Sequence, residues 1–105
     1  MENIEAQELN RLINEGETIL LLDIREQPEV DYCKIADSKH IPMNTVPHRL
    51  NELDPKDKIV VYCHTGVRSM YACQFLEQQG FRNVLNLRGG IHQWSLQVDP
   101  NVPTY

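Results

Sequence analysis

The chain has no long apolar run. Its longest aliphatic stretch, Ile19–Leu22, is four residues, against the roughly 20 that a membrane helix needs, so no membrane segment is expected. Positive charge is scarce as well: 10 Lys and Arg stand against 15 Asp and Glu, a formal net charge of −5. That balance excludes the basic field that nucleic acid or an anionic membrane surface requires. Cysteine is sparse, odd in number and unpaired in sequence: Cys33, Cys63 and Cys73 form no CxxC motif, which argues against a disulfide framework and against a zinc site. A reducing cytoplasm is the expected location, with at least one thiol free to react. The start, Met1-Glu2-Asn3-Ile4-Glu5, is acidic and lacks the basic and apolar parts of a secretory leader. There is no internal repeat, low-complexity segment or linker-like stretch, and 105 residues suit one domain spanning 1–105, a second being excluded by length.

What is present alternates between helical and strand patterns. Ala6–Glu15 carries Leu9, Leu12 and Ile13 at helical spacing and meets a stop at Gly16. Thr18–Asp23 is a continuous apolar run of strand length, the kind found in a parallel sheet covered on both faces. Residues 25–45 are irregular, with Pro28 opening a helical turn, and Thr45-Val46-Pro47 reads as a cap and a proline entering a helix to Leu53. A second buried strand, Lys58–Tyr62, leads straight into Cys63-His64-Thr65-Gly66-Val67-Arg68-Ser69, and Met70–Gln79 follows as a helix ended by Gly80. Val84–Leu87 is a third strand, Arg88-Gly89-Gly90 a turn and Ile91–Leu96 a short helix, before an extended tail. Strands alternating with helices imply an α/β fold with right-handed crossovers. Arg25, Arg68 and Arg88 flank these apolar segments, which marks the strand ends as the place to look for a site.

The loop after Lys58–Tyr62 carries the chemistry. A cysteine at the carboxyl end of a parallel strand, just before a helix, meets unpaired backbone N–H groups and the positive end of the helix dipole, and both favour the thiolate. Such surroundings lower cysteine pKa values from about 8.5 into a range of roughly 3.5–7.5. Gly66 lets the loop curl, and Arg68 adds a cation at its far end. Successive inward N–H groups make a cradle for a thiolate, a persulfide or an oxyanion. The competing reading is a buried cysteine at a strand end, common for a lone Cys and disfavoured here by the loop around it. Cys73, inside the helix, reads as a small buried hydrophobe; Cys33, in an irregular segment, reads as exposed and is the better of the two for a redox role. Asp23 and Arg25 read as an ion pair pinning the strand exit. His64 lies inside the cradle, whereas His40, His48 and His92 show no metal-ligand spacing. Trp94 reads as a core anchor and Tyr105 as a residue of undecided docking.

At these residues the sequence resembles the rhodanese family, over nearly the whole chain. Leu22-Asp23-Ile24-Arg25-Glu26 is similar to its Asp-x-Arg segment, His40-Ile41-Pro42 to the Asn-Ile-Pro that follows, and Val60-Val61-Tyr62-Cys63 to its active-site strand. Val84-Leu85-Asn86-Leu87-Arg88-Gly89-Gly90 with Trp94 resembles the closing motif. The tail from Val98-Asp99-Pro100 to Pro103-Thr104-Tyr105 resembles the end of rhodanese domains fused to adenylyltransferases of the molybdopterin and thiamine pathways. One segment departs: Cys33-Lys34-Ile35-Ala36-Asp37-Ser38 stands where the family usually has Gly-His-Ile-x-Gly-Ala, and Asp37 is among the residues that best tolerate a left-handed backbone in place of glycine.

The resemblance implies a rhodanese-like fold, a central parallel sheet with helices on both faces. It implies a sulfurtransferase with Cys63 as nucleophile, His64, Thr65, Gly66, Val67, Arg68 and Ser69 as the substrate-binding loop, and Asp23 and Arg25 in support. The implied donor is a small anion such as thiosulfate or a persulfide, the acceptor a thiol, cyanide or a carrier or relay protein; no metal or organic cofactor is implied. Related phosphatases and arsenate reductases carry Cys-x5-Arg, one residue more than the Cys-x4-Arg of Cys63 to Arg68, and the tighter loop points to sulfur transfer. A catalytically idle module that binds a partner protein is the main alternative, and a phosphatase or arsenate reductase the third.

Overall fold

The computed structural model describes residues 1–105. Its elements are β1 (Glu2–Ile4), α1 (Ala6–Asn14), β2 (Leu20–Asp23), α2 (Gln27–Tyr32), β3 (Lys39–His40), β4 (Ile59–Tyr62), α3 (Val67–Gln78), β5 (Val84–Leu87) and α4 (Gly90–Gln97). The five strands form one sheet in the order β1-β5-β4-β2-β3, with every pairing parallel. β4 is central, and all four of its residues are buried, as a strand covered on both faces must be.

Alternation along β2 and β4 divides the core in two. Leu22, Ile59, Val61 and Cys63 join Ala72, Cys73 and Leu76 of α3 on one face. Leu21, Val60 and Tyr62 join Leu9 of α1 with Ile91 and Trp94 of α4 on the other. Helices thus cover both faces, and Trp94 is the core anchor that its setting implied. Each fully buried aliphatic side chain contributes about 1.5–3 kcal/mol relative to exposure, which makes β4 a rigid platform for the residue at its exit.

The expected strand Val84–Leu87 is found with the same bounds, while β2 and β4 are shorter at their starts than the apolar runs. Two elements are not legible in the sequence: β1 is a three-residue edge strand whose one apolar residue is the buried Ile4, and β3 has two residues. The helix expected from Thr45 to Leu53 is instead two 3-10 segments, Met43–His48 and Leu50–Glu52, with Pro47 inside the first; proline has no N–H to donate to an α-helical ladder. Thr45 hydrogen-bonds the Pro42 carbonyl from side chain and backbone alike. Helix α3 begins three residues before the expected Met70, so Arg68 and Ser69 belong to its first turn. Asp37 takes φ +65°, the left-handed backbone its type tolerates.

Candidate active site

Cys63 leaves β4 on a loop held from two sides. The N-terminus of α4 takes its carbonyls: Ile91 N donates to Cys63 O at 3.0 Å and His92 N to His64 O at 3.1 Å. That contact needs glycine at position 90, because a Cβ there would stand 2.6 Å from Cys63 O and closer still to His64 O. On the far side, Gly66 caps α3 with φ +103°, a conformation costly for any residue with a side chain. With its carbonyls drawn toward α4, the loop turns N–H groups toward the sulfur.

Two of those groups reach it: Gly66 N donates to Cys63 Sγ at 3.1 Å and Ser69 N at 3.3 Å. The Cys63 thiol in turn donates to Ser69 Oγ at 3.3 Å. At the thiol itself Gly66 and Ser69 supply the N–H contacts, and His64, Thr65, Val67 and Arg68 make no hydrogen bond to Sγ; Thr65 and Val67 are exposed. Cys63 is 1% exposed, at the start of the twelve-residue α3 whose dipole favours negative charge there.

Asn86 completes the arrangement. This buried residue of β5 accepts a hydrogen bond from Ser69 Oγ, while its Nδ2 donates to Gly66 O at 3.1 Å and to Asn3 Oδ1 at 3.1 Å. It ties both N–H donors of the cradle to the sheet. Sequence reasoning missed it as a site residue, although a buried amide in the otherwise apolar Val84–Leu87 run was the signal.

Arg68 departs from expectation. Instead of facing the cradle as a free cation, its guanidinium forks onto Glu29 of α2, Nη1 to Oε1 and Nη2 to Oε2, both at 2.8 Å. Glu29 forms a capping box with Glu26 and accepts from the Tyr105 hydroxyl at 2.6 Å. Arg68 beside it, with a smaller contribution from Tyr105, holds its carboxyl down to about 2 against the opposing effect of burial. Tyr105 has a defined position: its ring stacks on His64 at 3.9 Å with a 12° interplanar angle, and its hydroxyl accepts from Arg25 Nη1 at 2.9 Å. Burial, and then the bond to Glu29, pushes that hydroxyl up to about 12, so it stays a donor.

Asp23 and Arg25 form an ion pair with both side chains 0% exposed, closed by Arg25 Nε to Asp23 Oδ1 at 3.0 Å and Nη2 to Oδ2 at 2.8 Å. Arg25 also donates to Cys33 O at 2.7 Å. The pair lies at one end of a chain of contacts that runs through Tyr105 and Glu29 to Arg68. Arg88, the third strand-end cation, is exposed and only loosely paired with Glu5, at 3.5 Å.

The other thiols are buried. Cys33, expected to be exposed, is 8% exposed with its sulfur 4.0 Å from Arg25 Nη1; it packs with Ile35 and Tyr62 instead of facing solvent. Cys73 is 0% exposed, and burial pushes its thiol up to about 12, which keeps it protonated and weakly nucleophilic. His64 and His92 meet edge to face at 6.0 Å, and His64 Nε2 and His92 Nδ1 are buried without hydrogen-bond partners.

Known proteins agree with this architecture. The family model of the rhodanese-like domain matches residues 5–97. A sulfurtransferase of Allochromatium vinosum is 42% identical over 96 residues, covering 90% of this chain and 89% of that protein. The adenylyltransferase and sulfurtransferase MOCS3-2 of Zea mays is 33% identical over 109 residues, covering 97% of this chain and 23% of the maize protein. The crystal structure of a rhodanese-like domain protein from Staphylococcus aureus superposes with a TM-score of 0.88 at 30% identity, covering 100% of this chain and 99% of the other. The chain belongs to the rhodanese-like domain family, in which sulfurtransferases are among its relatives.

Proposed function

We propose that this chain moves sulfane sulfur through a persulfide on Cys63. The observation that carries the reading is the cradle: one cysteine sulfur at a helix start, with Gly66 N and Ser69 N directed at it. In the first half-reaction the Cys63 thiolate attacks the outer sulfur of a donor. With thiosulfate the S–S bond breaks, its electron pair leaves with sulfite, and Cys63–S–S⁻ remains. The two N–H groups and the dipole of α3 stabilise negative charge on either sulfur species. In the second half-reaction an acceptor attacks the outer sulfur and Cys63 thiolate leaves; cyanide gives thiocyanate, and a thiolate gives a new persulfide. This is covalent catalysis in two steps. Physiological acceptors of the same chemistry are thiols of a relay in the reducing cytoplasm. Toward the activated carboxyl terminus of a sulfur-carrier protein the roles reverse: the Cys63 persulfide attacks the acyl carbon, the activating group leaves, and a thiol then cleaves the acyl disulfide to release the thiocarboxylate.

The cradle is small, with four residues, His64-Thr65-Gly66-Val67, between Cys63 and Arg68. A single added sulfur atom suits this ring better than the three equatorial oxygens of a transferring phosphoryl group. Incubation with thiosulfate or a low-molecular-weight persulfide, followed by intact-mass measurement, tests the reading: the protein should gain one sulfur atom, lost again on addition of cyanide and absent from Cys63→Ser. A chain that loads no sulfur from either donor is an idle binding module, and Cys63-dependent turnover of an aryl phosphate would make it a phosphatase.

A further inference from the structure

We infer that Glu29 determines donor specificity at this site: by occupying the Arg68 guanidinium it sets the cradle against compact dianionic donors such as thiosulfate and in favour of thiol persulfides. The inference rests on the sulfur-transfer reading above and adds the class of donor.

Arg68 is the one arginine on the cradle loop, and its fork is filled. Both terminal nitrogens meet Glu29 oxygens at 2.8 Å, the bidentate geometry in which guanidinium and carboxylate satisfy each other. The pair is also braced from the carboxylate side. Glu29 Oε1 accepts from Glu26 N at 3.2 Å, and Oε2 accepts from Tyr105 Oη at 2.6 Å. Tyr105 is fixed by Arg25 Nη1 and by stacking on His64, itself a loop residue. A clamp from α2 therefore reaches the first turn of α3, and the charge nearest the cradle that sequence alone counted as +1 is neutralised.

The consequence follows from charge. Thiosulfate brings two negative charges to a protein of formal charge −5 and must either displace Glu29 or bind beside a cancelled cation. A thiol persulfide brings at most one charge at its sulfurs, and its reaction needs no anion site: Cys63–S⁻ attacks the outer sulfur of R–S–SH, that S–S bond breaks with its electrons going to R–S⁻, and Cys63–S–SH is left. The backbone N–H groups suffice for this step.

The test separates anion access from sulfur chemistry. Cys63 is alkylated with anionic iodoacetate and with neutral iodoacetamide, the site being verified by peptide mass, and the rate ratio is compared among variants. Glu29→Gln, which preserves the cap and the side-chain shape, should raise the iodoacetate-to-iodoacetamide ratio about fivefold, the effect of one unmasked charge at close range. The kcat/KM for thiosulfate relative to that for a low-molecular-weight persulfide should rise by a similar factor, carried by KM and not by kcat. Tyr105→Phe, which removes one brace, should move both in the same direction by less. In an Arg68→Ala background the effect of Glu29→Gln should shrink well below that in wild type, since no guanidinium is left to free, and Glu8→Gln, whose partner Arg11 lies with it on α1, should act as a neutral control. Sulfur loading with unmoved ratios in Glu29→Gln and Tyr105→Phe, or a Glu29→Gln effect undiminished without Arg68, overturns the inference alone. A shifted alkylation ratio with no sulfur loading in any variant overturns the sulfur-transfer reading on which it rests.

Discussion

Two anion-handling regions lie side by side in this molecule and are built in opposite ways. The Cys63 cradle is made of backbone: Gly66 N and Ser69 N face the sulfur because a buried strand, a left-handed glycine and the N-terminus of α4 leave the loop little freedom. The Arg68 clamp is made of long side chains from α2, α3 and the segment ending in Tyr105, and it connects onward to the buried Asp23–Arg25 pair. Backbone donors stay where the fold puts them, whereas a side-chain network holds only while each partner is present. Removing single side chains should therefore separate chemistry from stability.

The largest effect is expected at the sulfur itself. Cys63→Ser should abolish sulfur loading while the urea midpoint changes little, since oxygen replaces sulfur at a position whose N–H partners accept either atom. Loading that survives the change would point to Cys33 or Cys73. Next comes Asp23→Leu, which leaves the fully buried Arg25 guanidinium without its carboxylate. Breaking a buried pair from one side costs about 3–5 kcal/mol, which should appear as a large fall in the urea midpoint. Folded Asp23→Leu protein should still load sulfur, because the cradle does not use Asp23; a specific loss of loading in folded protein would show that the two regions are coupled more tightly than their contacts indicate.

Asn86→Ala probes what ties the cradle to the sheet. It leaves Ser69 Oγ without its buried acceptor and Gly66 O without a donor, a cost of about 1–3 kcal/mol for groups left unsatisfied. It also loosens both N–H donors, so Cys63 alkylation and sulfur loading should slow by about tenfold, the kinetic equivalent of some 1.4 kcal/mol. Stopped-flow alkylation alongside urea denaturation would show whether rate and stability fall together.

The same contrast explains what could be read before the structure. The parallel α/β fold and the cradle are local in sequence: an apolar run, Cys63, a glycine three residues on, and a helix. Spacing conveys the alternation and the cysteine loop, while the α4 and Asn86 contacts that fix the loop are distant in sequence. The Arg68–Glu29 pair joins residues 39 apart, and Tyr105 reaches Glu29 across 76 positions; no periodicity marks such contacts, so the sequence shows Arg68 as a free cation and gives no sign of Glu29. The burial of Cys33 is hidden in the sequence for a related reason, because it comes from joining the distant Tyr62 in the core. Strands β1 and β3 are invisible in the sequence because two or three residues at the sheet edge, with Ile4 the one apolar side chain among them, carry no period. Asn86 lies between these cases: its burial was implied by the strand around it, but its partners Ser69 and Asn3 were not.

The smallest effect sharpens the clamp by pH. Arg68 first, and Tyr105 after it, depress the Glu29 carboxyl from an ordinary 4.5 to about 2 despite burial. A carboxyl whose folded pKa is depressed contributes stability that is fully present above its unfolded value and is lost as pH falls through the folded one. The difference in unfolding free energy between wild type and Glu29→Gln should therefore be constant from neutral pH down to about 5 and shrink between 4.5 and 2. Its size should not exceed about 1 kcal/mol, because the Arg68 side chain is 38% exposed and solvent screens the pair. Comparing the two proteins cancels the carboxylates they share, including Glu52, which Arg49 also holds near 2. Urea midpoints at intervals from pH 7 to pH 2 give the curve. A difference near zero at every pH from 7 to 2 would mean that the helix cap, which glutamine also provides, and not the charge on Glu29, is what this residue contributes to the fold.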